Sequence, residues 1–495
     1  MQPLLDPSAL DRLRHAFDAF TPEEVLDCLG PIGQAGLDRG DLLLAGRVLP
    51  EDDPTATLIR LFLLGGEIPD GAAAEALGGL RAEDAPALLR SGSGHTRASL
   101  EVRPYSEQDG APCWVVSDFG SDVRPGPLAP DHVLGIGSAS LTLAQYTMRA
   151  KVGRVLDVGT GCGIQALHLS THAAQVTATD ISERALSMAA TTAALSGLSW
   201  DLRAGSLLEP VAGERFDLVV ANPPFVVSPG LTTDSGGYEY RDSGLAGDEL
   251  CRRLVAELPS VLTEGGAAQL LANWVITAEA DWRERLAGWL AGGGCDAWAW
   301  QREVADPAEY VTLWLRDAGE QPGTVRWRER YDEWLDWMAQ AGIVAVGMGA
   351  VTIWNNQREE PIVVLEDVPQ PLQQPAGATV GAWLPRQRYL RDTDDDALLR
   401  TTLTAAPGVL RTGHDLIEDG GWRCTLTQLR LSDGMRWEVE SDPAITGLLA
   451  ACDGRTPLLA PLTVLAAVNG TTVEVIAEAA LPVVRDLISR GFLLP

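Results

Sequence analysis

The chain has 495 residues, of which 46% are hydrophobic, and carries a formal net charge of −30. That length suggests two to four domains. The acidity is spread along the whole sequence with no Lys/Arg run, and Lys151 is the sole lysine; a protein that grips a phosphate backbone usually shows a basic face. No apolar run approaches the ~20 residues that span a bilayer. The start, Met1-Gln2-Pro3-Leu4-Leu5-Asp6, lacks the basic flank and apolar core of a signal peptide. Seven cysteines without a C-x-x-C pair argue against a disulfide framework or a zinc site. We therefore expect a reduced cytoplasmic protein with no metal site.

Residues 1–125 read as a helical, winged-helix-like domain. Thr21-Pro22-Glu23-Glu24 is a capping box that opens a helix. Leu58, Leu61, Phe62 and Leu64 mark an apolar helix face, and Ala72–Leu77 and Ala85–Leu89 read as short helices. Ala98–Arg103 and Trp114–Ser117 then alternate as a hairpin around a turn containing Asp109-Gly110. The negative charge of this unit favours protein docking over nucleic-acid binding.

Residues 126–365 alternate strand and helix. Val155–Val158, Val176–Thr179, Asp217–Ala221 and Ala267–Ala272 read as strands, with helices at Ile164–Leu169, Glu183–Leu195, Asp248–Leu262 and Ala278–Leu290. Trp298–Gln301 and Tyr310–Leu315 read as a closing pair of strands. This alternation predicts an α/β, Rossmann-like, mostly parallel sheet with an antiparallel closing strand. Tyr331, Trp334, Leu335 and Met338 mark a further helix, and Ile343–Ile353 is strand-like. Ten of the fifteen tryptophans fall between Trp274 and Trp354, a pattern of core packing. After the Pro369–Pro375 break, Asp394-Asp395-Asp396 reads as a solvated loop. Residues 376–495 form a last domain whose end, Val473–Leu494, reads as helix–turn–helix and strand, again winged-helix-like.

Two motifs carry chemistry. Asp157-Val158-Gly159-Thr160-Gly161-Cys162-Gly163 follows a strand and opens a helix, where residues without Cβ let the backbone turn tightly and approach a ligand. Asp180, at the end of the next strand, can accept both hydroxyls of a ribose. A dehydrogenase would share this layout, but the spacing of Gly159, Gly161 and Gly163 fits its G-x-G-x-x-G poorly. Asn222-Pro223-Pro224-Phe225 follows a later strand. Two prolines force a rigid extended backbone, so the Asn222 side-chain oxygen and the Pro223 carbonyl can accept the two N–H bonds of an amide or exocyclic amine. Phe225 can stack on that planar group.

These residues resemble class I S-adenosylmethionine-dependent methyltransferases of the amino-methylating branch. That branch includes HemK-like protein-glutamine methyltransferases and the rRNA guanine and adenine methyltransferases. The resemblance implies S-adenosylmethionine as cofactor, with Asp157, Gly159, Thr160, Gly161, Cys162 and Gly163 around its methionine part. It places Asp180 and Ile181 at the ribose, Ser206 and Leu207 at the adenine, and Asn222, Pro223, Pro224 and Phe225 as the catalytic clamp. Tyr240 to Asp248 resembles the segment after the clamp in the HemK-like group. A glutamine side chain of a release-factor-type protein is accordingly the first acceptor expected, and an exocyclic amine of rRNA, tRNA or DNA the alternative. A cofactor-binding scaffold without turnover is the third reading.

Overall fold

The computed structural model describes residues 1–107, 110–233, 236–418 and 420–495. Asp109, expected in a turn, lies outside them. The chain divides into two compact units, one of residues 1–144 and 150–367, the other of residues 145–149 and 368–495.

The first unit is built on an eight-stranded sheet. Its strands in chain order are β1 (Val152–Val158), β2 (Ala173–Asp180), β3 (Asp201–Ala204), β4 (Phe216–Ala221), β5 (Leu262–Thr277), β6 (Asp296–Ala305), β7 (Ile343–Trp354) and β8 (Val363–Asp367). In space they run β8-β6-β7-β5-β4-β1-β2-β3. Only β7 opposes its neighbours; it pairs antiparallel with β5 and β6, while every other pairing is parallel. The order reverses between β1 and β4, and a crevice at the carboxyl ends of strands forms where the winding changes direction. The buried runs Val155–Val158 and Leu218–Ala221 are what a strand covered on both faces requires.

The closing strand is thus Ile343–Trp354. Tyr310–Leu315, expected as a strand, lies within a helix spanning Pro307–Asp317. Asp306 caps it, accepting from the Glu309 amide at 2.9 Å, and Pro307 takes the first position. Tyr310, Val311 and Leu315 are buried, with Trp314 packed beside them. The spacing is that of a helix face; the β-branched and aromatic residues had mimicked a strand.

The N-terminal residues share a core with the helix Glu183–Leu195: Cys162, Ala185, Met188 and Leu195 pack with Phe17, Phe62 and Trp114. Hydrogen bonds reinforce that contact, among them Trp114 amide to Ser196 Oγ at 3.1 Å and Val116 amide to Thr192 Oγ1 at 3.0 Å. The expected helix at Ala85–Leu89 is instead a run of turns, as Pro86 within it would favour. Leu89–Gly92 pairs with His95–Ala98, which pairs in turn with Glu67–Pro69. Ala98 therefore ends an unexpected first hairpin, and the single hairpin expected here pairs Glu101–Tyr105 with Cys113–Ser117.

In the second unit, Asp394 opens a helix rather than a loop: its carboxylate accepts from the Ala397 amide at 2.7 Å, and the helix runs Asp395–Arg400. Val473–Arg490 is one continuous helix, not two. Pro482 removes a single backbone hydrogen bond there, and buried Ala477, Leu481, Val484, Leu487 and Ile488 hold the apolar face together. The helix–turn–helix lies earlier, between Leu459–Asn469 and Val473–Arg490, with Gly470 at φ +63 ending the first helix. Among the described residues no helix is long and apolar enough to cross a membrane.

Candidate functional site

A cavity of about 410 Å³ opens at the carboxyl ends of β1, β2 and β4. The turn after β1 forms its floor. Amides of Gly159 and Thr160 donate to the Thr179 carbonyl at 2.9 and 3.0 Å, which ties the turn to the end of β2. Gly161 has φ +55, and a Cβ there would project into open space; the missing side chain leaves room for a ligand against the backbone. Gly163 has a different reason to be glycine. It sits at φ +89, and a Cβ would lie 2.6 Å from the Trp200 ring, itself held by a 2.8 Å bond from Nε1 to Ser170 Oγ. Gly163→Ala is expected to cost about 1–3 kcal/mol through overpacking, beyond backbone strain, and the shift in urea midpoint would measure it.

Asp180 ends β2. Its Oδ2 accepts from the Gly161 amide at 2.8 Å and its Oδ1 from the Ser182 amide at 2.9 Å. Burial raises its pKa, and these backbone bonds pull it down. Each oxygen retains a lone pair, so the fixed carboxylate can still accept hydroxyls. Asp157 stands behind the turn, fully buried. Its Oδ2 accepts from Thr160 Oγ1 at 2.6 Å and from the Ala166 amide at 3.1 Å, while Oδ1 has no partner among the described residues. Burial pushes its carboxyl up to about 7. Since the unfolded value is 3.8, stability from this group is full below that value and is lost as pH rises through 7. At about 1.4 kcal/mol per unit, the ionised form costs the fold on the order of 4 kcal/mol. Asp157→Asn should therefore gain stability relative to the parent protein between pH 5 and pH 8, read by urea unfolding at both values. Cys162 is buried in the same turn, which pushes its thiol up to about 12.

Asn222 follows β4. Its Nδ2 donates to Ser140 Oγ at 3.3 Å, and the Ser140 carbonyl accepts from Gln165 Nε2 at 2.6 Å. Its Oδ1 is buried with no partner, an arrangement a native site tolerates when a ligand completes it. Asn222 and Pro224 line the cavity with Gly159, Thr160, Gly161, Cys162, Asp180, Ile181, Ser206 and Leu207. Asp157, Gly163, Pro223 and Phe225 do not line it. Phe225 packs edge-on against Trp314, with centroids 5.8 Å apart. Leu207 holds φ +47 without being glycine, a strained conformation of the kind found at ligand clamps.

Little in the residue pattern pointed to the far wall. His132, Glu239, Tyr240 and Asp242 line it. The Glu239 amide donates to the Pro130 carbonyl at 2.9 Å, and Tyr240 meets the His132 ring edge-on at 6.0 Å. Burial lowers the His132 pKa, against the pull of nearby Asp118. Asp242 is locked by Arg241: its Oδ2 accepts from Arg241 Nε and Nη2 and from the Tyr238 amide, all at 3.0–3.1 Å. Arg241 also donates to the Trp314 carbonyl at 2.6 Å and lies over the rings of Tyr238 and Trp334. No spacing rule links positions more than a hundred residues apart, such as 132 and 242; only the Tyr240–Asp248 likeness hinted at this wall. Asp180, Glu239 and Asp242 line the cavity, and no lysine or arginine is among the described lining residues. That suits a cationic ligand and opposes a dinucleotide's pyrophosphate.

Residues 133–236 match the methyltransferase small domain family. Residues 18–98 and 381–495 match two families described as domains of unknown function (DUF7059 and DUF7782). The chain is 40% identical over 151 residues to the release factor glutamine methyltransferase of Deinococcus radiodurans, covering 29% of this chain and 54% of that protein. It is 36% identical over 123 residues to the ribosomal RNA small subunit methyltransferase C of Alcanivorax borkumensis, covering 25% and 33%. Against the ribosomal protein uL3 glutamine methyltransferase of Bradyrhizobium diazoefficiens the identity is 33% over 150 residues, covering 28% and 46%. The chain thus spans about half or less of the length of these relatives. The amino-methylating type expected from the two motifs is the type these relatives represent.

Proposed function

We propose that this protein is an S-adenosylmethionine-dependent N-methyltransferase acting on a planar amide or amine nitrogen. One observation carries the reading: the glycine turn, Asp180 and an Asn222 with an unpaired Oδ1 converge on a single carboxylate-lined cavity. The lining fits the cofactor. Gly159 to Cys162 would hold its methionine part, Asp180 and Ile181 its ribose, and Ser206 and Leu207 its adenine. When bound, it supplies an electrophilic methyl group on a cationic sulfur. The chain's own part is to orient the acceptor. Asn222 Oδ1 accepts an N–H bond of the acceptor, draws electron density onto nitrogen and aims its lone pair, so that proximity supplies much of the rate; the Pro223 carbonyl, expected as a second acceptor, is not among the cavity's described lining groups. No separate general base is required.

The acceptor is a glutamine side chain of a translation-factor-type protein, or an exocyclic amine of RNA; relatives of both kinds match. Within this proposal residues 1–125 and 376–495 are docking domains flanking a catalytic domain at 126–365, and the protein works in the cytoplasm. Incubation with methyl-labelled S-adenosylmethionine and cell extract tests it. Label sensitive to protease supports the first acceptor and label sensitive to nuclease the second; absence of label overturns the reading.

A further inference from the structure

The segment that carries Asn222 is anchored at both ends. Upstream, Ala221 is buried in β4. Downstream, Val227 is fully buried, and side chains hold both of its backbone groups. The Val227 amide donates to the Tyr310 hydroxyl at 2.9 Å, and the Val227 carbonyl accepts from Trp334 Nε1 at 3.1 Å. Asn273 Nδ2, from β5, donates to the same hydroxyl at 2.8 Å, so the phenol oxygen takes two N–H donors on its two lone pairs. Tyr310 lies on the helix Pro307–Asp317 and Trp334 on the helix Val325–Gln340. Trp314 meets Tyr310 edge-on at 6.1 Å and Phe225 edge-on at 5.8 Å, and all of these rings pack in one cluster with Val226 and Val227. Between the two anchors, Pro223 and Pro224 have fixed φ, so a shift at Val227 is passed on to Asn222 instead of being absorbed.

We propose that Tyr310 and Trp334 are positioning residues for methyl transfer: by gripping the Val227 peptide from behind, they set the aim of Asn222. This inference rests on the N-methyltransferase reading. Neither side chain is catalytic, since Asn273, Tyr310 and Trp334 are all absent from the described residues that line the cavity. Burial also raises the Tyr310 pKa above its ordinary value, so the phenol keeps its proton at neutral pH and serves as a fixed acceptor. All three residues lie outside residues 133–236, the part of the chain that matches the methyltransferase small domain family. The grip on the clamp is thus supplied by the later strand and the two helices that follow the family's stretch. A reacting nitrogen misplaced by a fraction of its bond length loses rate without losing binding, because orientation is felt most in the transition state.

Label transfer from methyl-labelled S-adenosylmethionine into cell extract, measured on the full-length protein over a range of cofactor concentrations, tests this. Tyr310→Phe keeps the ring and removes the acceptor. It should lower the rate at saturating cofactor by about tenfold or more. The KM for S-adenosylmethionine and the affinity for S-adenosylhomocysteine should stay within about twofold, as for a group felt only in the transition state. The loss should not add to that of Asn222→Ala: once the side chain being aimed is gone, Tyr310→Phe should cost less than about twofold more. A merely structural role would lower the urea midpoint and leave the rate of the folded protein alone. Should Tyr310→Phe fail to fold, Trp334→Phe, which removes the Nε1–H, decides by the same readings. An unchanged saturating rate in the folded variant overturns the inference, and so does a loss that adds in full to that of Asn222→Ala. Weakened S-adenosylhomocysteine binding also overturns it, by assigning the grip to the cofactor turn. A parent protein that transfers no label overturns the N-methyltransferase reading itself, and this inference with it.

Discussion

Asn222→Ala should lower methyl transfer by about a hundredfold or more, the scale on which a lost preorganised hydrogen-bond partner is felt, while cofactor affinity changes little. The separation follows from geometry. Asn222 reaches the cavity from the end of β4 and bonds to Ser140, whereas the turn that would carry the cofactor is fixed independently through Asp180 and Thr179. Truncation removes the buried Oδ1 and leaves that turn untouched. The decisive pair of measurements is S-adenosylhomocysteine binding by calorimetry and label transfer into extract. Transfer that survives the substitution would remove Asn222 from the acceptor clamp.

Arg241→Ala should destabilise the first unit by about 3–5 kcal/mol, the cost of leaving a buried carboxylate without its counter-charge. Both side chains of the Arg241–Asp242 pair are fully buried. The arginine also ties the 238–242 segment to the helix Pro307–Asp317 through the Trp314 carbonyl. Arg241→Lys should recover only part of the loss, since an ammonium can neither reproduce the two-pronged contact with Asp242 nor lie flat against Tyr238 and Trp334. Urea unfolding of the three proteins would show the order parent, lysine, alanine. A midpoint unchanged in the alanine protein would mean that water already reaches this pair.

The parts of the molecule legible in sequence were those governed by local rules. The buried strand before Gly159, the acidic end of β2 and the proline-locked Asn222 are each set by residues within a few positions, and the cavity brings them together. Tyr310–Leu315 misled because bulky apolar residues suit a strand and a buried helix face equally; the Asp306-Pro307 start was the signal that separates the two. Val473–Leu494 misled in the opposite sense, since an interior Pro482 is tolerated when tertiary packing holds the helix. The wall of His132, Tyr240 and Asp242 was illegible for another reason. Its members meet through a backbone bond at Pro130 and a ring contact, and neither leaves a periodic trace. Gly163 shows a subtler limit: its place in the motif was plain, but its reason, the Trp200 ring behind it, required the fold.

The carboxylate-rich lining also bears on turnover. A sulfonium donor enters as a cation at sulfur and departs as a neutral thioether once its methyl group is gone. Walls carrying Asp180 and Glu239 with no lysine or arginine among the described lining residues attract the first form more than the second. The same electrostatics that recruit fresh donor would thus loosen the spent one, and added salt, by screening both, should narrow the gap between their affinities.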